Sequence, residues 1–194
     1  MTGWEWPSWD RELFLVLHRD WTSSWLDSFF PIYRDKRTWL PLYVLFLVWL
    51  WRRLRSTGLL VALMAGACVG IADGVSSSVI KPAVGRLRPC RTESLQPFIR
   101  DIIDCGPGLS FPSSHAANHL ALSMFLFLLF RQHYPVASWL ALLWGFSIGY
   151  AQIYVGLHFP LDVLAGSVLG ALIGWSLAQL FLFLQPGWQS RWAR

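Results

Sequence analysis

Three polar clusters in this 194-residue chain hold residue types that could act on phosphorus. The first is "KPAVGRLRPC", from Lys81 to Cys90, with a lysine and an arginine seven residues apart. Two helical turns would bring Lys81 and Arg88 to one side, although Pro82 and Gly85 favour a broken helix end. The second is "FPSSH", Phe111 to His115, at the head of an apolar run. Unpaired N–H groups and the positive dipole end of a helix starting there would favour an anion. Ser113 reads equally well as a plain N-cap. In the third, His158 precedes Asp162 by four, and Pro160 suits the first turn of a helix that keeps the carboxylate within reach of the ring.

Each cluster has a plainer reading alone: a snorkelling lysine, a capped helix, an interfacial histidine. Jointly they supply cations, N–H donors, two histidines and a carboxylate, which are the parts of phosphoryl transfer. One histidine can attack phosphorus, and the second can protonate the leaving oxygen near neutral pH. Asp162 would fix the tautomer of His158.

The elements that must position them read as membrane helices. The chain is 55% hydrophobic and 14% charged, with a mean hydropathy of +0.43, where a soluble domain is nearer a quarter charged. Many of its 13 tryptophans, Trp4, Trp39 and Trp188 among them, lie near the ends of apolar runs, as in an aromatic belt. Five segments read as spans: 38–51, 58–80, 116–130, 135–155 and 161–184, the first and third short for a bilayer. Before them, residues 1–36 carry two short amphipathic helices suited to lie in the interface. The expectation is one all-α domain over 1–194: interfacial helices, a bundle over 37–185 and an external loop over 82–114. The opening residues do not read as a cleaved signal peptide.

Five spans would put Arg52, Arg53, Arg55, Arg131, Arg191 and Arg194 on a face without acids, the cytoplasmic one. The three clusters then share the external face, with Cys90 and Cys105, where an oxidising compartment would permit a bridge. Glycine stripes at Gly66, Gly70, Gly74 and at Gly166, Gly170, Gly174 suit close helix packing, of these two spans against each other or in a homodimer seam. The scattered basic residues make no nucleic-acid footprint.

The three clusters resemble the signature of the type-2 phosphatidic acid phosphatase superfamily: Lys-x6-Arg-Pro, then Pro-Ser-Gly-His, then Ser-Arg-x5-His-x3-Asp. Lys81 to Pro89 meets the first in full, Ser114 stands for Gly in the second, and Ala151-Gln152 stands for Ser-Arg in the third. The resemblance implies an integral membrane phosphatase of a lipid phosphate, acting without a metal or other cofactor. By it, His158 is the nucleophile, Asp162 orients it, and His115 is the acid and then the base. Lys81, Arg88, Ser113, Ser114 and Gln152 hold the phosphate. Gln152 keeps a donor but loses the charge and the bidentate fork of arginine, and Arg86 or Arg91 would then supply the missing charge. Two rivals remain: a phosphotransferase using the same intermediate, and a membrane protein that binds or transports an anionic lipid without chemistry. Undecaprenyl diphosphate, phosphatidylglycerol phosphate, phosphatidic acid and lipid A phosphates are all open as substrates. A bacterial cytoplasmic membrane with the site facing out is the expected location. His119 reads as a bundle hydrogen-bonder, and Asp73, ~12 Å inside a span, as a carboxylate in need of a partner.

Overall fold

The computed structural model describes residues 5–192 and is helical throughout, with no strand among the described residues. Trp4, Arg194 and the side chains of Arg191 and Trp192 lie outside that description. Two short helices come first, α1 (Ser8–Leu15) and α2 (Ser24–Tyr33), followed by α3 (Leu40–Leu54). Then α4 (Ser56–Asp73) continues through a π-helical stretch, Gly74–Ile80, into the single turn α5 (Lys81–Val84). After a long loop come α6 (Ser114–Phe130), α7 (Pro135–Tyr154) and α8 (Pro160–Leu184). Three helical segments, Ser56–Arg91, Pro135–Tyr154 and Pro160–Leu184, are long and apolar enough to cross a membrane. Large apolar side chains such as Val136, Leu140, Leu172 and Phe183 point outward from them, as a lipid solvent requires.

The central helix is α6, which packs on α8, α7 and α4. Its closest partner is α8, because a Cβ added to Gly166, Gly170 or Gly174 would fall well inside contact with the backbone carbonyl oxygens of Ser113, Ala117 or Ala121. Small residues on both sides of this seam let the two backbones touch, and dispersion and packing, rather than a hydrophobic effect, hold helices together in lipid. The other stripe behaves differently. A Cβ on Gly66, Gly70 or Gly74 would meet nothing within 4 Å, so the two glycine stripes do not face each other as the spacing suggested.

This seam carries the second cluster on α6 and the third on α8, so its disruption should disarm the site at a distance. Gly170→Leu is expected to cost more than about 3 kcal/mol, since overpacking against backbone cannot relax by a rotamer change. Thermal unfolding in detergent, alongside phosphate release, checks this. A midpoint within about 2 °C of the wild type would show that the seam is not what holds the helices.

At the cluster end the short helices cap the bundle. Phe14 of α1 packs with Ile153 and Phe159, and Phe30 of α2 with Tyr154 and Leu157. His18, buried between them, hydrogen-bonds the Tyr154 carbonyl through Nδ1 at 2.7 Å and accepts from the Arg100 N–H at Nε2, 3.0 Å. Those partners select the neutral Nδ1–H tautomer, and burial holds the His18 pKa below its ordinary value. The loop after α5 is closed by a Cys90–Cys105 disulfide, while Cys68 is free and buried.

Candidate active site

Local sequence explains how each cluster reaches the same end of the bundle. Gly85, with φ of 69°, stops α5 and turns the chain so that Arg88 folds back. Ser113 caps α6, its hydroxyl accepting from the Ala116 N–H at 3.4 Å. Gly156, with φ of 83°, turns the chain between α7 and α8, and the Gln152 carbonyl receives the N–H groups of Leu157 and His158 at 3.1 and 3.3 Å. Pro160 then starts α8.

Between α3, α4, α6 and α7 lies a cavity of about 1910 Å³. Lys81, Arg88, Ser114, His115, His158 and Arg34 line its polar end. Its apolar remainder reaches down past Leu122 and Leu126 to Phe130 and Tyr134. The rise along α6 from His115 to Phe130 is ~22 Å.

His158 is nearly completely buried and enters this cavity from a rigid setting. Its Nδ1 lies 3.4 Å from the Ser110 hydroxyl and 3.7 Å from Asp162 Oδ2. The second distance is too long for a direct hydrogen bond. Ser110 bridges the gap, donating to Asp162 Oδ2 at 2.5 Å. Nε2 of His158 makes no hydrogen bond among the described residues. Burial pushes the His158 pKa down against the pull of Asp162, so the ring is neutral at neutral pH.

Asp162 has no exposure at all, and every contact it makes fixes it further. It accepts the Phe159 N–H at 2.8 Å, closing the first turn of α8, and pairs with Arg86 Nη1 at 2.6 Å. Arg86 pairs through Nη2 with Asp10 of α1, also at 2.6 Å, and its guanidinium lies between the rings of Trp6 and Phe159 at 3.8 and 4.0 Å from their centroids. Asp10 in turn accepts the Leu161 N–H at 2.8 Å. The N-terminal helix is thus joined to the rear of the nucleophile loop.

The opposite wall of the polar end is built for an anion. Lys81 Nζ donates to the Leu109 carbonyl at 2.7 Å, and Arg88 Nη1 donates to the Cys105 carbonyl at 2.5 Å. Arg88 Nε is buried without a partner. At the start of α6 the Ala116 N–H goes to the Ser113 hydroxyl and the Ala117 N–H to the Ser113 carbonyl, leaving those of Ser114 and His115 without a partner among the described residues. The Ser114 hydroxyl lies 3.0 Å from those of both Ser76 and Ser77. Deeper in, His119 Nδ1 bonds the His115 carbonyl at 2.9 Å, and Asn118 donates to Asp73 at 3.1 Å. That amide is the partner the carboxylate required.

Two expected phosphate ligands sit elsewhere. Ser113 is fully buried behind the cavity wall, because its hydroxyl caps α6 and its N–H donates to the Asp162 carbonyl at 2.9 Å. Gln152 is also fully buried, with its Oε1 turned to Arg34 and not to the cavity. Neither candidate for the missing charge serves: Arg86 is consumed by two carboxylates, and Arg91 is exposed, bonded to the Pro107 carbonyl. Ser110, Asp10 and Arg34 carried no signal in the sequence, since each lies outside the three clusters. Only the lost charge at residue 152 hinted that some cation would replace it.

A model of the PAP2 superfamily matches residues 55–186, which contain all three clusters. The chain belongs to the PAP2 superfamily. Its PAP2 relatives include the lipid A 4'-phosphatase of Bacteroides thetaiotaomicron, 33% identical over 178 residues, covering 90% of this chain and 76% of that protein. The undecaprenyl-diphosphatase BcrC of Bacillus subtilis is 28% identical over 176 residues, 90% of this chain and 86% of its own. Solved PAP2 structures share the fold. The PAP2 type phosphatidylglycerolphosphate phosphatase from Bacillus subtilis superposes with a TM-score of 0.64 at 22% identity, over 89% of this chain and 84% of that one. Aquifex aeolicus LpxE gives 0.59 at 20% identity, over 92% and 99%. Membership makes this chain one of a family of lipid phosphatases.

Proposed function

We propose that this PAP2 protein hydrolyses a phosphate monoester or diphosphate on a membrane lipid, through a phosphohistidine on His158 and without a metal. The observation that carries the reading is the free Nε2 of a neutral, rigidly held His158 opening on a cavity that also holds His115, Lys81 and Arg88. The Nε2 lone pair attacks phosphorus as the ester P–O bond breaks, and the leaving oxygen takes a proton from His115. Water, deprotonated by His115, then attacks phosphorus, the N–P bond breaks, and inorganic phosphate leaves. Lys81, Arg88, Ser114 and the N–H groups of Ser114 and His115 face the equatorial oxygens, where charge gathers. Asp162, through Ser110, keeps Nδ1 protonated and balances the charge that develops on the ring. Among the described residues no group of His, Cys, Asp and Glu is disposed to hold a metal ion.

The length of the apolar cavity supports a lipid, since a tail of ~22 Å fits beneath a headgroup phosphate at the polar end. In a bilayer α3 and α6 would cross with the three longer segments, and α1 and α2 would lie in the interface. The site then faces the outside of the cytoplasmic membrane, supported by the disulfide at its own end and by Arg52, Arg53, Arg55 and Arg131 at the other.

The test is phosphate release by the full chain in detergent, with EDTA, from lipid A 4'-phosphate, undecaprenyl diphosphate, phosphatidylglycerol phosphate and phosphatidic acid. Lipid A 4'-phosphate heads the panel because the relative named for it aligns with 90% of this chain at 33% identity. EDTA-resistant release is expected. Labelled phosphate arriving on another lipid or sugar would make the protein a transferase, and lipid binding with neither outcome would remove the chemistry altogether.

A further inference from the structure

Three cations lining the cavity, Arg34, Lys36 and Arg37, belong to none of the three clusters, and Arg34 is the one that reaches Gln152. Arg34 follows the last residue of α2, and α2 is pinned to α7 by the Tyr33 hydroxyl, 2.5 Å from that of Ser147. From there the Arg34 side chain reaches across so that its Nε donates to Gln152 Oε1 at 3.2 Å. That is the only hydrogen bond its side chain makes among the described residues, which leaves both terminal nitrogens unused. Arg34 lines the same polar end as Lys81, Arg88, His115 and His158.

Gln152 has the opposite character: it is fully buried, and its carbonyl holds the backbone of His158. Its side-chain amide presents an acceptor to Arg34, a task that an arginine at this position could not perform. We propose that Arg34 is a phosphate-binding residue of this site, positioned by Gln152, and that it supplies from the N-terminal helix the planar fork that residue 152 lacks. The inference rests on the phosphatase reading given above.

Physical chemistry favours an anion between these groups. Burial, and after it the charge of Arg88, press the Arg34 pKa downward, although a guanidinium stays charged. Two guanidiniums that repel each other across a partly dry space gain most from a doubly charged oxyanion placed between them. The fork geometry suits two equatorial oxygens of one phosphoryl group, which the single nitrogen of Lys81 cannot grip in the same way.

Orthovanadate is the probe, because it takes up the trigonal geometry of the transferring group and its binding can be read without turnover. Its affinity is measured by thermal stabilisation of the full chain in detergent, and lipid phosphate release is followed in parallel. Arg34→Leu is expected to weaken orthovanadate on the order of 10- to 100-fold, the span of charge-assisted hydrogen bonds lost to an ion. Returning the guanidinium from the other side, in the double variant Arg34→Leu, Gln152→Arg, should recover most of that affinity. A role limited to docking α2 would not be rescued this way. Wild-type affinity in Arg34→Leu, or no recovery in the double variant, would overturn the proposal. If the leucine variant does not fold, Arg34→Lys decides, since undiminished orthovanadate affinity there would exclude the fork. Failure of the phosphatase reading is a separate result: the wild type itself would neither bind orthovanadate nor release phosphate.

Discussion

His158→Ala is expected to lower phosphate release by about 10⁴-fold or more, because it removes the nucleophile while leaving the anion wall in place. The structure makes the ring specific to this work. Nδ1 is committed to Ser110 and the Asp162 charge, and Nε2 is the nitrogen left to the cavity. Orthovanadate should still bind, since Lys81, Arg88 and the α6 N–H groups are unchanged. With labelled substrate, the wild type should yield a phosphoenzyme that survives base and is lost in acid, and the variant none. Retention of more than about 1% of the wild-type rate would place the nucleophile elsewhere. The same burial fixes the sign of the pH dependence. The attacking ring must be neutral, and its pKa is lowered from 6.5, so the acid limb of kcat/KM set by His158 should fall below that value. An acid limb well above 6.5 would mean that another group controls it.

Arg86→Leu should be the most destabilising single change at the site, and electrostatics says why. Asp10 and Asp162 are both fully buried, and Arg86 is the cation between them. Removing either acid leaves a balanced pair, whereas removing the arginine leaves two like charges facing each other without solvent. Breaking a buried pair from one side costs about 3–5 kcal/mol. The expected drop in thermal midpoint is roughly 10 °C for a chain of this size. Activity should fall with it, since Asp162 also orients His158 through Ser110. The decisive comparison is the double variant Asp10→Asn, Arg86→Leu, which removes one of the stranded charges and should regain part of the loss. If Arg86→Leu unfolds within about 2 °C of the wild type, the arrangement does not hold α1 to the nucleophile loop.

These two results bear on opposite faces of one histidine, and together they separate chemistry from support. His158→Ala should silence the enzyme and spare the fold, while Arg86→Leu should loosen the fold and reduce activity as a consequence. The PAP2 superfamily match supplies the class of reaction, and the roles proposed within it are what these two variants test.

The sequence by itself determined the apolar character of the molecule and which residues were candidates for its chemical core. Apolar runs longer than a soluble core needs can only be helices in lipid, where every backbone group must be satisfied within its own segment. Lys81, His115, His158 and Asp162 were legible for a related reason: each sits at or beside the end of such a run, where an ionisable residue is costly unless it has work, and Arg88 was legible from its spacing to Lys81. Their spacing is also local, a matter of helix ends and turns that Pro160, Gly85 and Gly156 dictate.

What only the tertiary structure decided is everything that joins residues far apart in the chain. Ser110 enters the relay because its loop passes between His158 and Asp162, and Asp10 enters because α1 packs under the start of α8. Arg86, one of the sequence's two candidates for the missing phosphate charge, proved to be the buried counter-ion, and Arg34, in a segment read only as interfacial, lines the cavity. The glycine stripes show the same limit. Both had the small-residue period, yet only that on α8 meets another backbone, while α4 turns its stripe to open space. A period says that a face is smooth, and the partner across it is chosen by how whole helices fit. Charges behave likewise: a guanidinium has the same sequence signature whether it grips a substrate or two carboxylates, and burial among acids decides between them.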